Sequence, residues 1–227
     1  MTYLSKIQLN KQKVPLEELA RLFKHGHPGH ILAWQAFGGD ANKTRNFIFR
    51  EEHTRDDMVL WTLSSEKPSD WGGYLKVASK PYAPALQSGT TLAFKLRANA
   101  TIAVTASKGK RGKRHDVVMH QKHMLKEESK PIPPQSVLVQ QAGINWLKNQ
   151  GIRNGFTVHE QQTIADGYQG HRFRKHLNSK QEVNFHTIDF DGVLTVTDPE
   201  KFLTSLQHGL GRTKAYGNGL MLIRKMS

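Results

Sequence analysis

The sequence predicts an α+β fold of two tandem ferredoxin-like (RRM-like) domains with antiparallel sheets. The first observation is the length of 227 residues, which is enough for two small domains. The second is the order of the elements, because strand-like alternation and helix-like spacing follow each other as β-α-β-β-α-β in both halves. The third is a basic segment over residues 105–134, with glycines and prolines, which interrupts that regular pattern. We place the domains at residues 1–95 and 96–227.

The first half carries the pattern of one such unit. Residues 3–9 alternate between apolar and polar side chains, which is typical of a half-buried strand. Pro15 suits the first turn of a helix, and a second helical set begins near Ile31 and ends at the glycines after Phe37. Residues 69–76 read as a short helix or a turn. The predicted strands of this half are residues 3–9, 46–51, 58–63 and 90–104.

The second half repeats the pattern without repeating the sequence. A helix is predicted over residues 136–149, with Gly151 as its stop. Asp198 and Pro199 predict the start of a last helix, because aspartate caps a helix N-terminus and proline fits the first turn. The remaining predicted elements are strands around residues 156–159, 183–196 and 220–225.

The charge balance points to a polyanionic partner. Lysine and arginine total 33 against 19 acidic residues, so the formal net charge is +14. Such an excess repels itself unless a polyanion neutralises it, and nucleic acid is the commonest such partner. An anionic membrane surface is the alternative, but the sequence contains no long basic amphipathic helix that would lie on it.

The cysteine count and the apolar runs limit the cellular setting. The sequence has no cysteine, which excludes disulfides and thiolate zinc sites and suits a reducing cytosol. The N-terminal segment lacks the apolar run of a signal peptide, and no stretch approaches the length of a transmembrane helix. We therefore expect a soluble, cytoplasmic protein without a membrane partner.

Two basic stretches are candidate RNA contacts. The predicted loop over residues 105–123 contains a single acid, Asp116, and residues 168–180 contain none. The second stretch also places Tyr168 and Phe173 among its cations, as surfaces for stacking bases would be. A solvated charged surface is the alternative reading of both stretches. The cations that we expect to contact RNA there are Lys108, Lys110, Arg111, Lys113, Arg114, Arg172, Arg174 and Lys175.

Residues 209–220 form a glycine-rich segment that reads GLGRTKAYGNGL. It holds more glycines than a helix cap needs, so we expect its backbone to approach an RNA phosphate with Lys214 beside it. It does not match G-x-x-x-x-G-K-[ST], so a nucleotide-hydrolysing P-loop is not predicted. A helix cap at Gly209 and close packing between the domains are the structural alternatives. The glycines concerned are Gly209, Gly211, Gly217 and Gly219.

Four segments resemble one known family, and they occur in the order of that family. They are the opening residues 3–6, residues 92–99 (LAFKLRAN), residues 190–199 (FDGVLTVTDP) and residues 209–220. The last resembles the C-terminal G-φ-G-x-x-K-x-x-G-x-G-L signature of CRISPR repeat endoribonucleases. More narrowly, the chain is similar to the CasE family, the processing subunit of the type I-E Cascade complex.

The resemblance implies a CRISPR repeat RNA stem-loop as substrate and metal-independent cleavage with no small-molecule cofactor. It also implies retention of the product and assembly with other Cascade subunits in antiviral defence. The catalytic histidine of the family lies on the first helix, four residues before an apolar or aromatic position, and His30 before Trp34 is the best match. His27 stands where the family often has tyrosine, and Ala100 and Arg212 stand where it has proline.

The chemistry of RNA cleavage suggests roles for these residues. The 2′-OH can attack the adjacent phosphorus and expel the 5′-oxygen, provided that a base, an acid and a charge stabiliser are present. Imidazole titrates near neutral pH and can act as base or acid. We hypothesise His30 as general base or acid, His27 as its partner, and Lys24 or Lys214 as the charge stabiliser. The products would carry 5′-hydroxyl and 2′,3′-cyclic phosphate ends.

Other interpretations of the same residues stay open. His30 can be a histidine packed beside Trp34, and His27 a solvated loop histidine. The run His25, His27 and His30 could bind zinc or nickel, although no carboxylate or thiolate lies close to it in sequence. The protein could bind an RNA hairpin without cutting it. It could also be an unrelated basic protein, such as a ribosome-associated factor, but that would leave the four family segments unexplained.

Overall fold

A computed structural model describes residues 1–24, 27–40, 44–55, 57–104, 112–174 and 181–226. In these ranges the strands form a four-stranded sheet, a five-stranded sheet and a two-stranded hairpin. Every strand pair in them is antiparallel. The predicted α+β class with antiparallel sheets is therefore confirmed.

The N-terminal part of the chain builds the four-stranded sheet. Its elements are β1 (Tyr3–Leu9), α1 (Leu16–Phe23), α2 (Pro28–Ala36), β2 (Phe47–His53), β3 (Met58–Ser64) and β4 (Leu75–Pro81). The strands lie in the order β2-β3-β1-β4, as in a ferredoxin-like unit, and a turn at residues 71–74 occupies the place of the second helix. Alternate residues of β1, ending in Ile7 and Leu9, are buried against α2, as the alternation predicts.

The fourth strand of this sheet is not the one predicted. We expected residues 90–104 to complete it, but β4 does so instead. Only Leu75 of β4 is buried, and an edge strand of this kind lacks the alternation by which strands are recognised. Residues 91–98 pair in the other sheet, so the predicted domain boundary at residue 95 falls inside a strand. We propose to place the boundary within residues 82–90.

The C-terminal part builds a second ferredoxin-like unit. Its elements are β5 (Thr91–Ala98), β6 (Thr101–Val104), β7 (Lys113–Asp116), α3 (Val117–Glu127), α4 (Gln135–Asn154), β8 (Phe156–Val158), β9 (Ile164–Arg174), β10 (Glu182–Val196), α5 (Pro199–His208) and β11 (Met221–Lys225). The strand order is β11-β5-β10-β8. On the long strand β10, β8 pairs with the C-terminal end and β9 pairs with the N-terminal part. β6 and β7 form a separate hairpin. Short 3₁₀ turns lie at Glu160–Gln162 and Lys214–Tyr216.

Part of the predicted basic loop is helical. Helix α3 begins after Asp116, whose carboxylate accepts hydrogen bonds from the backbone N–H groups of Val118 and Met119. Val117 and Val118 are buried, while the rest of α3 stays partly or fully exposed. A helix with so short a buried stretch shows little apolar periodicity, which is why the sequence predicts a loop over this segment.

Helix α4 runs past its predicted stop. Gly151 is buried within α4, and a β-carbon there would overlap the carbonyl of Phe156. The helix ends at Gly155, whose φ of 74° is the left-handed conformation that favours glycine as a cap. The predicted start of α5 is confirmed, since Asp198 caps the backbone N–H of Lys201. In the described part of the chain, no helix is both long and apolar enough to cross a membrane.

The glycine-rich segment packs between the two sheets. Gly217 has a φ of 79°, and a β-carbon there would lie 3.1 Å from Cε2 of Phe49 on β2. Gly209 ends α5, and a β-carbon there would lie 3.2 Å from Cδ1 of Ile48. Leu220 is buried with Ile48 in a small apolar cluster that joins the two units. Close packing between the domains is therefore one role of these glycines.

Candidate active site

His30 lies in the first turn of α2. Pro28 opens this helix after His27, which is its N-cap residue. A β-carbon at Gly29 would overlap the carboxylate of Glu51 on β2, so this glycine lets the Glu51 side chain lie against the first turn of α2. The sequence predicts a second helical set from near Ile31, and the structure begins α2 at Pro28, so that His30 lies within the helix.

The orientation of the His30 ring is set by the glycine-rich segment. Its Nδ1 atom lies 2.6 Å from the carbonyl oxygen of Ala215, in the 3₁₀ turn Lys214–Tyr216. A carbonyl oxygen only accepts hydrogen bonds, so Nδ1 carries the proton and donates it. In the neutral ring the lone pair then lies on Nε2, which gives His30 the tautomer of an oriented general base.

His27 lies beside His30. The ring centroids of the two histidines are 5.3 Å apart. The ring of His27 also lies 4.7 Å from that of Phe173 on β9 and 5.7 Å from that of Tyr216. Side chains of the second unit therefore pack against the two imidazoles at the start of α2.

A cluster of aromatic rings forms one wall of the site. The centroid of Tyr216 lies 5.4 Å from that of His30, 5.0 Å from that of Phe173 and 5.9 Å from that of Phe185. Burial raises the pKa of Tyr216, so its phenol stays protonated and able to donate at neutral pH. Phe173 and Tyr216 are only partly buried, and exposed ring faces of this kind are surfaces on which bases stack.

These side chains surround a cavity of about 420 Å³. Both histidines line it from α2, Glu51 and Arg97 line it from the two sheets, and Asn218 lines it from the glycine-rich segment. A polar cavity of this size, walled by imidazole and aromatic rings, can hold a nucleotide. The structure thus brings His30, His27 and the glycine-rich segment into one site.

Arg97 is a fixed cation on the wall of this cavity. Its Nε and Nη2 atoms donate to the two carboxylate oxygens of Asp189 at 2.8 and 2.7 Å. Its Nη1 atom donates to the backbone carbonyl of Glu51 at 3.3 Å, which links the two sheets. The hydrogen bond with Asp189 raises the pKa of Arg97. In the sequence, Arg97 stands out only as part of the family-like segment 92–99, and it was not predicted as a site residue.

Lys214 and Arg45 form a cationic pair beside the turn that holds His30. Burial lowers the pKa of Lys214, and the charge of Arg45 lowers it further. Burial also lowers the pKa of Arg45, whose Nη1 atom is buried with no hydrogen-bond partner in the described residues. Neither Lys214 nor Lys24 lines the cavity itself, and Lys24 is exposed at the end of α1.

Two further histidines line or border the cavity and were not predicted. The Nε2 atom of His171 lies 2.9 Å from Oγ1 of Thr187, and burial, followed by the charge of Arg97, lowers the pKa of His171. The Nε2 atom of His53 lies 2.6 Å from Oε1 of Glu51. His171 lies two residues before Phe173 on β9, and this period of two is the sequence signal that places His171 on the same face as Phe173.

Four of the predicted RNA-binding cations lie on described strands of the second unit. Lys113 and Arg114 are exposed on β7. Arg172 and Arg174 are exposed on β9, on the face opposite His171, and Arg172 pairs with Glu182 at 2.7 Å. Outside the described residues lie Lys108, Lys110, Arg111 and Lys175.

The alternative of a metal site finds no support in the described ranges. There, no group of three or more His, Cys, Asp or Glu side chains could hold a metal ion. His25, the first residue of the histidine run, lies outside these ranges.

Two relatives align with most of the chain. The CRISPR system Cascade subunit CasE of Escherichia coli (strain K12) is 22% identical over 194 residues, which cover 85% of this chain and 88% of that protein. The CRISPR-associated endoribonuclease Cse3 of Thermus thermophilus is 29% identical over 166 residues, which cover 68% of this chain and 67% of that protein.

Solved structures share the fold, and a family model covers nearly the whole chain. Thermus thermophilus Cse3, bound to an RNA representing a pre-cleavage complex, has a TM-score of 0.69 at 24% identity over 98% of each chain. Cas6e from Escherichia coli str. K-12 has a TM-score of 0.65 at 21% identity, covering 99% of this chain and 100% of that one. The model described as CRISPR associated protein matches residues 2–225. The resemblance to CasE is confirmed, and the chain belongs to the CRISPR associated protein family.

Proposed function

We propose that this protein is an endoribonuclease that cleaves CRISPR precursor RNA at the repeat stem-loop. The observation that carries the proposal is the hydrogen bond from His30 Nδ1 to Ala215, which orients an imidazole inside a cavity of nucleotide size. The relative described as a CRISPR-associated endoribonuclease supports the reaction class. The net charge of +14 supports a polyanionic substrate.

In the proposed reaction the RNA supplies its own nucleophile. Nε2 of His30 takes the proton of the 2′-OH, the 2′-oxygen bonds to the adjacent phosphorus, and the bond from phosphorus to the 5′-oxygen breaks. Protonated His27 gives its proton to the leaving 5′-oxygen. The products are a 2′,3′-cyclic phosphate and a 5′-hydroxyl, and each proton is accounted for by imidazole, so the cleavage is proposed to be metal-independent. General acid–base catalysis of this kind contributes roughly 10²–10⁴-fold in rate.

Cations near the site are proposed to stabilise the charge that develops on the phosphorane. Lys214 and Arg45 repel each other beside the His30 turn, and a phosphate between them would relieve that repulsion. Lys24 is a weaker candidate for this role, because it is exposed at the end of α1, whereas Lys214 belongs to the turn that holds His30. Gly217 is left-handed and lines the cavity, so the backbone at this position can approach an RNA phosphate.

We further propose that the protein keeps the cleaved stem-loop and assembles with other Cascade subunits. The basis is the relative described as a Cascade subunit, which aligns with 85% of this chain. Exposed cations on β7 and β9, among them Lys113 and Arg174, are proposed to contact the phosphates of the stem. Such contacts would make RNA binding strongly dependent on salt.

The test is cleavage of a repeat hairpin RNA in EDTA, beside the same RNA with a 2′-deoxy sugar at the cut site. We expect the first RNA to be cut and the second to be spared. His30→Ala should lose at least about 10²-fold of the single-turnover rate. His208→Ala is a matched control, because Nδ1 of His208 also lies near a backbone carbonyl, that of Thr204 at 2.8 Å, at the end of α5.

The outcomes separate the proposal from its alternatives. Cleavage by His30→Ala at the native rate would remove His30 from the mechanism. Tight binding without cleavage of either RNA would favour a subunit that binds the hairpin and does not cut. Activity that appears only on addition of a divalent metal would contradict the metal-independent reaction.

A further inference from the structure

A second and larger cavity lies on another side of the glycine-rich segment. It has a volume of about 620 Å³ and lies between the β6–β7 hairpin, helices α3 and α4, and residues Gly211 and Arg212. Three arginines line it, Arg114 from β7, Arg153 from α4 and Arg212, and none of its described lining residues is acidic. None of the three forms an ion pair with another described residue. Three such guanidinium groups around one concave surface favour an anionic occupant.

The rest of the lining can recognise a base. Asn145 and Asn149 offer amide groups from successive turns of α4, and an amide can pair with a base edge as donor and acceptor. One N–H of the Asn149 amide donates to the backbone carbonyl of Asn145 at 2.9 Å, which leaves its second N–H and its oxygen for a base. Trp146 is 6% exposed and stacks on Phe190. Its indole N–H forms no hydrogen bond with another described residue. A β-carbon at Gly211 would lie 3.4 Å from Cζ2 of Trp146, so the glycine brings this edge of the indole to the cavity.

The glycine-rich segment connects this cavity with the candidate active site. Gly211 and Arg212 line the second cavity, whereas Tyr216 and Asn218 line the first. The backbone N–H of Arg212 donates to the carbonyl of Asn99 at 3.4 Å, which attaches this end of the segment to the end of β5. Arg212 and Ala215 are three positions apart in the chain, a span of at most about 10 Å. One RNA strand can therefore reach both cavities.

We propose that this second cavity, which we call the arginine cavity, binds an unpaired nucleotide of the RNA that the active site cleaves. This proposal rests on the proposed function. The phosphate contacts the arginines, and the base enters between the amides of α4 and the edge of Trp146. A duplex would not enter a recess of this kind, because its bases are paired and only its outer phosphates reach a surface. The arginine cavity would thus add affinity for RNA that extends beyond the hairpin.

The test compares two non-cleavable RNAs, each with a 2′-deoxy sugar at the cut site. One ends at the base of the stem, and the other carries unpaired nucleotides at both ends. The variant is the double substitution Arg153→Gln and Arg212→Gln, at two exposed positions where folding is not at risk. The matched control is Lys148→Gln, which removes a cation of the same helix that already pairs with Glu160 at 2.6 Å.

We expect the native protein to bind the extended RNA more tightly and the double variant to lose that advantage, by about ten-fold or more. The slope of log affinity against log salt for the extended RNA should fall by about 0.7 for each lost phosphate contact. The blunt hairpin should bind both proteins alike. The extended RNA with a 2′-OH at the cut site should be cleaved by the double variant at the native rate when the protein is saturating. The control should behave as the native protein in every assay.

Two results would overturn the proposal. Unchanged affinity of the double variant for the extended RNA would show that the arginine cavity holds no nucleotide. Equal weakening for both RNAs would place stem phosphates there instead of an unpaired nucleotide. Because binding is measured with RNA that cannot be cut, neither result depends on whether His30 is catalytic.

Discussion

The ring of His27, at the start of α2, lies 4.7 Å from the ring of Phe173 on β9. This contact joins the histidine proposed as the acid to a strand of the second sheet. The other histidine, His30, is held by Ala215, which also belongs to the second unit. The two imidazoles are therefore positioned from outside their own domain, and the geometry of the site depends on how the two units pack.

Tyr216→Phe tests whether the phenol takes part in the reaction. The substitution keeps the ring that packs against His30 and Phe173 and removes only the hydroxyl, which stays protonated because burial raises the pKa of Tyr216. If the hydroxyl donates to the reacting phosphate, the single-turnover rate should fall by about 10²-fold, as for other lost donors. Tyr74→Phe is the control, since Tyr74 packs on Trp71 outside the cavity. A native rate for Tyr216→Phe would limit Tyr216 to a stacking surface.

Gly217→Ala tests the fit of the glycine-rich segment between the sheets. Gly217 has a φ of 79°, and an added β-carbon would lie 3.1 Å from Phe49, so the segment that holds His30 should shift. We expect a loss of about 1–2 kcal/mol from the left-handed conformation together with a large loss of cleavage rate. Gly89→Ala provides the comparison, because Gly89 has a φ of 86° but no atom within 4 Å of the added carbon.

These two glycine variants are measured by urea unfolding and by single-turnover cleavage. Both should lose stability, but only Gly217→Ala should lose activity at saturating protein. Equal activity in the two variants would mean that the position of the segment does not control His30.

Arg97→Lys tests the link between the sheets. Lysine keeps the charge but cannot reproduce the two parallel hydrogen bonds to Asp189 or the third to the Glu51 carbonyl. We expect the free energy of unfolding to fall by roughly 1.5–3 kcal/mol, the range for hydrogen bonds of charged groups. Lys95→Gln breaks the exposed pair with Asp191 on the same two strands and should change stability by less than about 1 kcal/mol. Urea denaturation of both variants measures the difference, and similar losses would contradict a special role of Arg97.

The sequence predicted the fold better at its buried elements than at its edges. Strand β1 and helix α5 followed from alternation and from the Asp198 cap, because burial and capping are local and leave a pattern in the residues. β4 and α3 were missed because few of their residues are buried, so their sequences lack apolar periodicity. Their conformation depends on the neighbouring elements of the fold. Gly151 was read as a stop, although close packing against Phe156 is what requires a glycine there.

The candidate site could be predicted only in part. His30, His27 and Lys214 were found because each lies in or near a recognisable segment. Arg45 and Arg97 belong to other parts of the chain, and their place at the site depends on how the two sheets pack. The sequence does not reveal that kind of neighbourhood, because residues such as His30 and Ala215 are separated by 185 positions.

Acid should weaken the protein through His171. Burial and the charge of Arg97 lower the pKa of His171 from its ordinary value of 6.5, so the unfolded chain binds a proton more readily than the folded one. The stabilisation from neutral His171 is therefore complete above about pH 6.5 and is lost as the pH falls toward the lowered pKa. His171→Gln cannot titrate and can keep a hydrogen bond to Thr187, so its unfolding free energy should fall less between pH 7.5 and pH 5.5. His208→Gln retains His171 and should show the native acid sensitivity. If His171→Gln and the native protein lose equal unfolding free energy on acidification in urea titrations, His171 is not the group responsible.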